Sequence, residues 1–202
     1  MAGTFPITVR LYSDEKTRMA HRHHFRTLTA TVALAMVAAS LARPAHARLP
    51  WAATSGLHFV EEVVNADNYR AAAAGLAMKK SPSPDVRDFG RMLWESSIEN
   101  TSRLRWLLNQ SDPGVVLPSQ VTPQYMFVID ELVPVAGDAF DRRFIAQQTA
   151  SLTQALALAQ AYAQFGDDFD LKEFARRSVP KIQMQLDAIL EIEMRHERSA
   201  PG

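Results

Sequence analysis

Apolar residues return every three or four positions along nearly all of residues 55–197, and that spacing admits amphipathic helices and little else. Leu57, Val60, Val64, Tyr69, Ala72, Ala73 and Leu76 mark a first helix behind a Ser55 cap, ended by Ser81-Pro82-Ser83-Pro84. Ser83 then caps a second helix, with Pro84 at its first position and Asp85 in its first turn. It carries Val86, Phe89, Leu93, Ser97, Leu104 and Leu108 to about Gln110. Asp112-Pro113-Gly114 breaks the pattern, and a loop with Pro118 and Pro123 leads into a short helix over 123–132. Asp138 is the expected cap of a third long helix through Phe140, Phe144, Gln148, Leu152, Ala155, Ala159 and Tyr162, stopped by Gly166. Asp167 or Asp168 opens the last helix, whose stripe is Leu171, Phe174, Ile182, Leu186, Ile189 and Met194. Pro180 inside it predicts a kink, and the tail after Glu197 is expected to fray.

Four long amphipathic helices and one short crossover helix predict an all-α four-helix bundle, a single domain over residues 48–202 with its core at about 55–197. The short links favour antiparallel pairing of helices one with two and three with four. The Ala71–Ala74 run predicts close helix packing. Trp94 and Trp106 stand twelve apart, off any common stripe, and are expected to wedge between helices.

Ahead of this domain, Arg22, His23, His24 and Arg26 precede the uncharged run Leu28–Ala42, and Ala45-His46-Ala47 follows with small residues around a larger one. That order is the grammar of a bacterial export signal cut between Ala47 and Arg48. The run is shorter than a secure membrane span. Met19 directly precedes the basic segment, so residues 1–18 read as a misplaced start. The expected location is the periplasm or the medium, with outer-membrane association open. Membrane contact follows only if the signal stays uncleaved.

Residues 1–47 hold six of the 22 basic and two of the 22 acidic residues, so the remaining domain is acidic by four. That balance gives no footprint for nucleic acid. Four of the six histidines leave with the signal, and only His58 and His196 remain. The chain has no cysteine, which removes thiol nucleophiles, thiolate metal sites and disulfides. Among the eight glycines none builds a phosphate loop, and Ser96, Ser97 and Ser151 have no histidine at triad spacing.

The ordered strings Phe89-x-x-x-Leu93, Gly114-Val115-x-Leu117-Pro118, Ala139-Phe140-Asp141-Arg142-x-Phe144 and Ser178-Val179-Pro180 give the chain a family likeness. Over Phe59 to Leu190 it resembles the ferritin-like "domain of unknown function 4142" family of periplasmic and outer-membrane proteins. The resemblance implies a bundle with inward glutamate and histidine residues that look like metal ligands. Their places here hold Arg70 (or Ala72), Ser96-Ser97, Leu152 and Gln185, none of them a good ligand.

The chain offers one Glu-x-x-His pair, Glu193 with His196, where a two-metal bundle site needs two. The pair is expected to be a solvated helix end. Glu95 with Glu99, and Asp138 with Arg142, are expected on exposed faces laced with ion pairs. Glu61 and Glu62 near His58 are expected in water. Ser97, Thr101, Gln148 and Gln185 are expected to face the bundle axis as a neutral hydrogen-bonded network in place of a metal cluster. No catalytic residue, metal or cofactor is expected. The function expected is structural or interaction-based in the cell envelope. A carboxylate-based metal protein or oxidase, and a signal-anchored docking protein, are the alternatives.

Overall fold

The computed structural model describes residues 55–111 and 114–199. The export signal, the Ala47–Arg48 cleavage point, the Met19 start and the Asp112-Pro113 turn lie outside the described residues. Five helices follow one another: α1 (Gly56–Lys80), α2 (Pro84–Ser111), α3 (Pro123–Asp130), α4 (Gly137–Phe165) and α5 (Phe169–Ser199), with no strand among the described residues. The four-helix bundle with one short crossover helix is therefore the fold.

The helix boundaries follow from local chemistry. Ser55 Oγ accepts from His58 N at 3.5 Å and starts α1. Lys79 and Lys80 in its last turn suit the negative end of the helix. Lys80 Nζ also donates to the carbonyls of Leu132 and Val133, at 2.9 and 2.6 Å, and so fastens α1 to the chain after α3. Asp168 opens α5 by accepting from Leu171 N at 2.8 Å. Asp138 does not cap α4. The helix begins one residue earlier at Gly137, with Ala136 before it and no side-chain cap. Gly137 has φ +60°, which a residue without Cβ takes up at little cost. At Gly166 a Cβ would lie 2.6 Å from the Tyr162 ring, so the α4–α5 turn needs glycine for space. Helix α5 runs unbroken through Pro180 and ends at Ser199, beyond the expected fraying point.

Cross-helix contacts set the topology. Gly56 meets Asp167 and Arg70 meets Ser151, so α1 and α4 run antiparallel. Lys181 reaches Glu99 and Arg195 reaches Asp85, so α2 and α5 do too. The chain thus goes up, down, down and up. The segment from 114 to 136, with α3 packed against α1, returns it along the bundle, a distance of about 40 Å for helices of this length.

Two apolar clusters fill the interior. One gathers Phe59, Val60, Val64, Leu104, Tyr162, Leu171, Phe174 and Ala175. The other holds Tyr69, Ala73, Ala74, Ala77, Val86, Phe89, Leu93, Phe140, Phe144, Leu152, Ile182 and Ile189 among its members. Of the alanine run, Ala73 and Ala74 are fully buried and Ala71 and Ala72 half-buried; Ala77, one turn on, is fully buried as well.

Candidate functional site

Buried polar side chains lie along the middle of the bundle and at one of its ends. On α1, Val60, Val64, Asp67 and Ala74 follow helical spacing on the buried side, so Asp67 is carried inside with its apolar neighbours. It is 1 % exposed. Arg70, one turn on, is buried as well, and its Nη2 donates to Asp67 Oδ1 at 2.6 Å. Arg70 Nη1 donates to Ser151 Oγ of α4 at 3.3 Å. Burial pushes the Asp67 carboxyl above the ordinary carboxylate range, while the Arg70 charge and hydrogen bond pull it back. The Asn100 amide lies close enough to favour the carboxylate, yet no hydrogen bond of ordinary geometry reaches Oδ2.

Beside this pair, Gln148 Nε2 donates to Tyr69 Oη at 3.1 Å, and Tyr69 Oη donates to Gln147 Oε1 at 3.3 Å. Burial raises the Tyr69 phenol above its ordinary value. Gln185 Nε2 donates to Ser96 Oγ at 2.7 Å, joining α5 to α2. Ser97 is buried, and its Oγ has no hydrogen-bond partner among the described residues. Leu152 is plain core.

The expected network is thus present only in part. Ser97, Gln148 and Gln185 are buried and Thr101 is half-buried, but Gln148 and Gln185 bond to different partners. The interior is also ionic rather than neutral, because Asp67 and Arg70 enter it together. The stripe spacing of Asp67 on α1 was the readable signal for this. The tyrosine partner of Gln148 had none, since it depends on how α4 is set against α1.

At the bundle end where α4 begins and α5 finishes, Asp141 is 0 % exposed and neither of its oxygens has a hydrogen-bond partner among the described residues. His196 Nε2 stands 3.4 Å from its Oδ2. His196 is therefore turned inward to α4 rather than solvated beside Glu193, which is half-buried with no ion-pair partner among the described residues. Next to it, Arg195 Nε donates to Asp85 Oδ2 of α2 at 3.0 Å. Nothing in the local sequence joins residues 141 and 196; only antiparallel α4 and α5 of matched length do so.

The remaining candidates lie outside. Glu95 and Glu99 are both exposed, and Glu99 pairs with Lys181 across to α5 at 3.2 Å. Asp138 and Arg142 are exposed, as is Glu61, while Glu62 and His58 are half-buried. Trp94 is 43 % exposed and Trp106 52 %, so they do not wedge between helices as expected. Trp106 instead borders a groove of about 580 Å³ between α2 and α5, with Arg103 over its ring at 4.7 Å. Phe174, Arg177 and Lys181 line the same groove. No set of three or more His, Cys, Asp or Glu side chains converges among the described residues, and none of the described helices is long and apolar enough to cross a membrane.

The comparisons agree with this architecture. The sequence pattern of the family described as "Domain of unknown function (DUF4142)" matches residues 41–192. No curated protein matches. A solved structure described as "CopM in the Cu(II)-bound form" superposes with a TM-score of 0.60 at 13 % identity, over 70 % of this chain and 97 % of that one. At that identity the likeness is one of fold.

Proposed function

We propose that this chain, which belongs to the DUF4142 family, is an exported helical scaffold of the cell envelope that works through contacts with a partner rather than through catalysis or a resident metal. One observation carries this reading: the buried Arg70 guanidinium, held by Asp67 on its own helix and by Ser151 on the next. It occupies one of the two places, Arg70 or Ala72, where the family resemblance puts a glutamate ligand. A fixed positive charge in a medium of low dielectric opposes a metal dication at the same level, and Asp67 has a single free oxygen to offer where a metal needs several ligands. Leu152, Ser97 and Gln185 at the other matching places supply no strong ligand. The export signal read from residues 22–47 supports the location, and the α2–α5 groove is the surface suited to a partner.

The test is metal content. Protein expressed from the full sequence and recovered from the periplasm without chelator or tag is analysed by plasma mass spectrometry and intact mass. The expected result is no stoichiometric metal and a chain beginning at Arg48. Iron, manganese, zinc or copper near one per chain would overturn the scaffold reading. A mass that retains residues 28–42 would favour the anchored alternative.

A second reading has one observation in its favour, the likeness in fold to a structure described as Cu(II)-bound. Asp141 and His196 would then be its starting ligands, a buried carboxylate oxygen beside an imidazole nitrogen. Loss of bound copper in His196→Ala, with the helical content kept, would select this reading.

A further inference from the structure

Beneath the mid-chain loop lies a cavity of about 170 Å³, walled by α1, α2 and residues 118–119. Asn68 holds the loop over it by donating to the carbonyls of Pro118 and Gln120, at 3.0 and 3.3 Å. Asp67 and Ser97 line it, and both are at least 98 % buried. Asp67 Oδ2 and Ser97 Oγ are the two buried oxygens there that lack a hydrogen-bond partner among the described residues. A buried acceptor without a donor costs about 1–3 kcal/mol, so this wall of the cavity calls for N–H or O–H groups.

The charge decides which donor suits it. Asp67 and Arg105 are the charged side chains lining the cavity among the described residues. Asp67 is already matched by Arg70, so the site as a whole carries the surplus positive charge of Arg105. A simple cation would meet that surplus unfavourably, and a simple anion would leave the buried oxygens unsatisfied. A molecule with donors at one end and a carboxylate at the other satisfies both. Ser97, Thr101 and Arg105 recur every four residues on one stripe of α2 and span about 12 Å of helix. Long helical side chains lean toward the preceding turn, which brings Arg105 back over the cavity's mouth.

We propose that this cavity binds a small zwitterion of the α-amino acid class, its ammonium group on Asp67 Oδ2 and Ser97 Oγ and its carboxylate toward Arg105. The inference is independent of whether the protein holds a metal or a protein partner.

The test is an amide chemical-shift titration of the full-length protein with glycine and alanine, beside methylammonium and acetate as half-ligands. Glycine or alanine should shift amides around residues 67–71 and 97–105 saturably, and each half-ligand should bind at least about tenfold more weakly. Arg105→Gln, at an exposed position, should weaken glycine by about tenfold, and Ala71→Leu, which fills the cavity, should abolish binding. Absence of saturable shifts up to about 50 mM overturns the proposal and leaves a cavity for water alone. Binding unchanged in Arg105→Gln, or methylammonium as good as glycine, overturns it equally.

Discussion

Asp67 and Arg70 form a buried pair whose two charges each depend on the other. Replacing Arg70 with methionine leaves a carboxylate without its cation in the bundle interior, a loss of about 3–5 kcal/mol. Replacing both, Asp67→Leu with Arg70→Met, removes the charges together and should return most of that stability. Urea midpoints of the two variants measure the difference, and a double variant no better than the single one would deny the coupling. The phenols give a second prediction. Tyr69 and Tyr162 both titrate above their ordinary value of 10.0, chiefly through burial, and Tyr162 also through donating to Asp167 at 2.9 Å. Above pH 10 the unfolded chain releases these protons first while the folded chain keeps them, so stability should fall as pH rises past that value. Tyr69 and Tyr162 should therefore ionise only as helical circular dichroism is lost. Tyrosinate absorbance from both of them with the helices intact would contradict this. At this scale the sequence tells which side a residue faces, as with Ser97 and Gln148, because spacing along one helix is local information. It does not tell what each meets there. The Tyr69–Gln148 bond and the Asp141–His196 approach join residues 79 and 55 apart, through helix rotations set by packing.

Elements were legible wherever a breaker or cap has its own chemistry. Ser55, Pro84, Gly166 and Asp168 fix helix ends through hydrogen bonds or steric limits that need no tertiary contact. Asp138 misled because the preceding glycine adopts a positive φ, which lets the helix start without a side-chain cap. The tryptophans misled for another reason. A large aromatic ring is usually drawn inward, but on α2 the buried stripe is already filled by Phe89, Leu93 and Leu104. Two glycines inside helices test how closely α1 and α2 approach. A Cβ at Gly75 would meet nothing within 4 Å, so Gly75→Ala should raise stability by about 0.5–1 kcal/mol through helix propensity alone. A Cβ at Gly90 would lie 3.2 Å from the Ala77 Cβ and 3.3 Å from the Ala74 carbonyl oxygen. The second contact is with backbone and cannot rotate away, so Gly90→Ala should lower stability despite the same gain in propensity. Thermal melts of the two variants should move in opposite directions. Equal upward shifts would mean that α1 and α2 have slack between them.

The bundle as a whole carries two apolar clusters with buried polar groups near their junction, and such a core could melt in two stages. The helices argue against it. Each long helix contributes to both clusters: α1 through Phe59 and Ala73, α2 through Leu104 and Phe89, α4 through Tyr162 and Phe144, α5 through Phe174 and Ile189. Melting one cluster alone would require four helices to end at mid-length, exposing fresh ends with unsatisfied backbone groups on each. The polar groups also tie helix to helix across the bundle, since Arg70 joins α1 to α4 and Gln185 joins α5 to α2. Unfolding should therefore be one cooperative transition, with helical circular dichroism and tryptophan fluorescence following the same curve. Phe59→Leu in one cluster and Phe144→Leu in the other should both lower that single midpoint without splitting it. A fluorescence curve that departs from the dichroism curve in either variant would show a bundle whose two halves unfold separately. The polar middle would then act as a hinge instead of a tie.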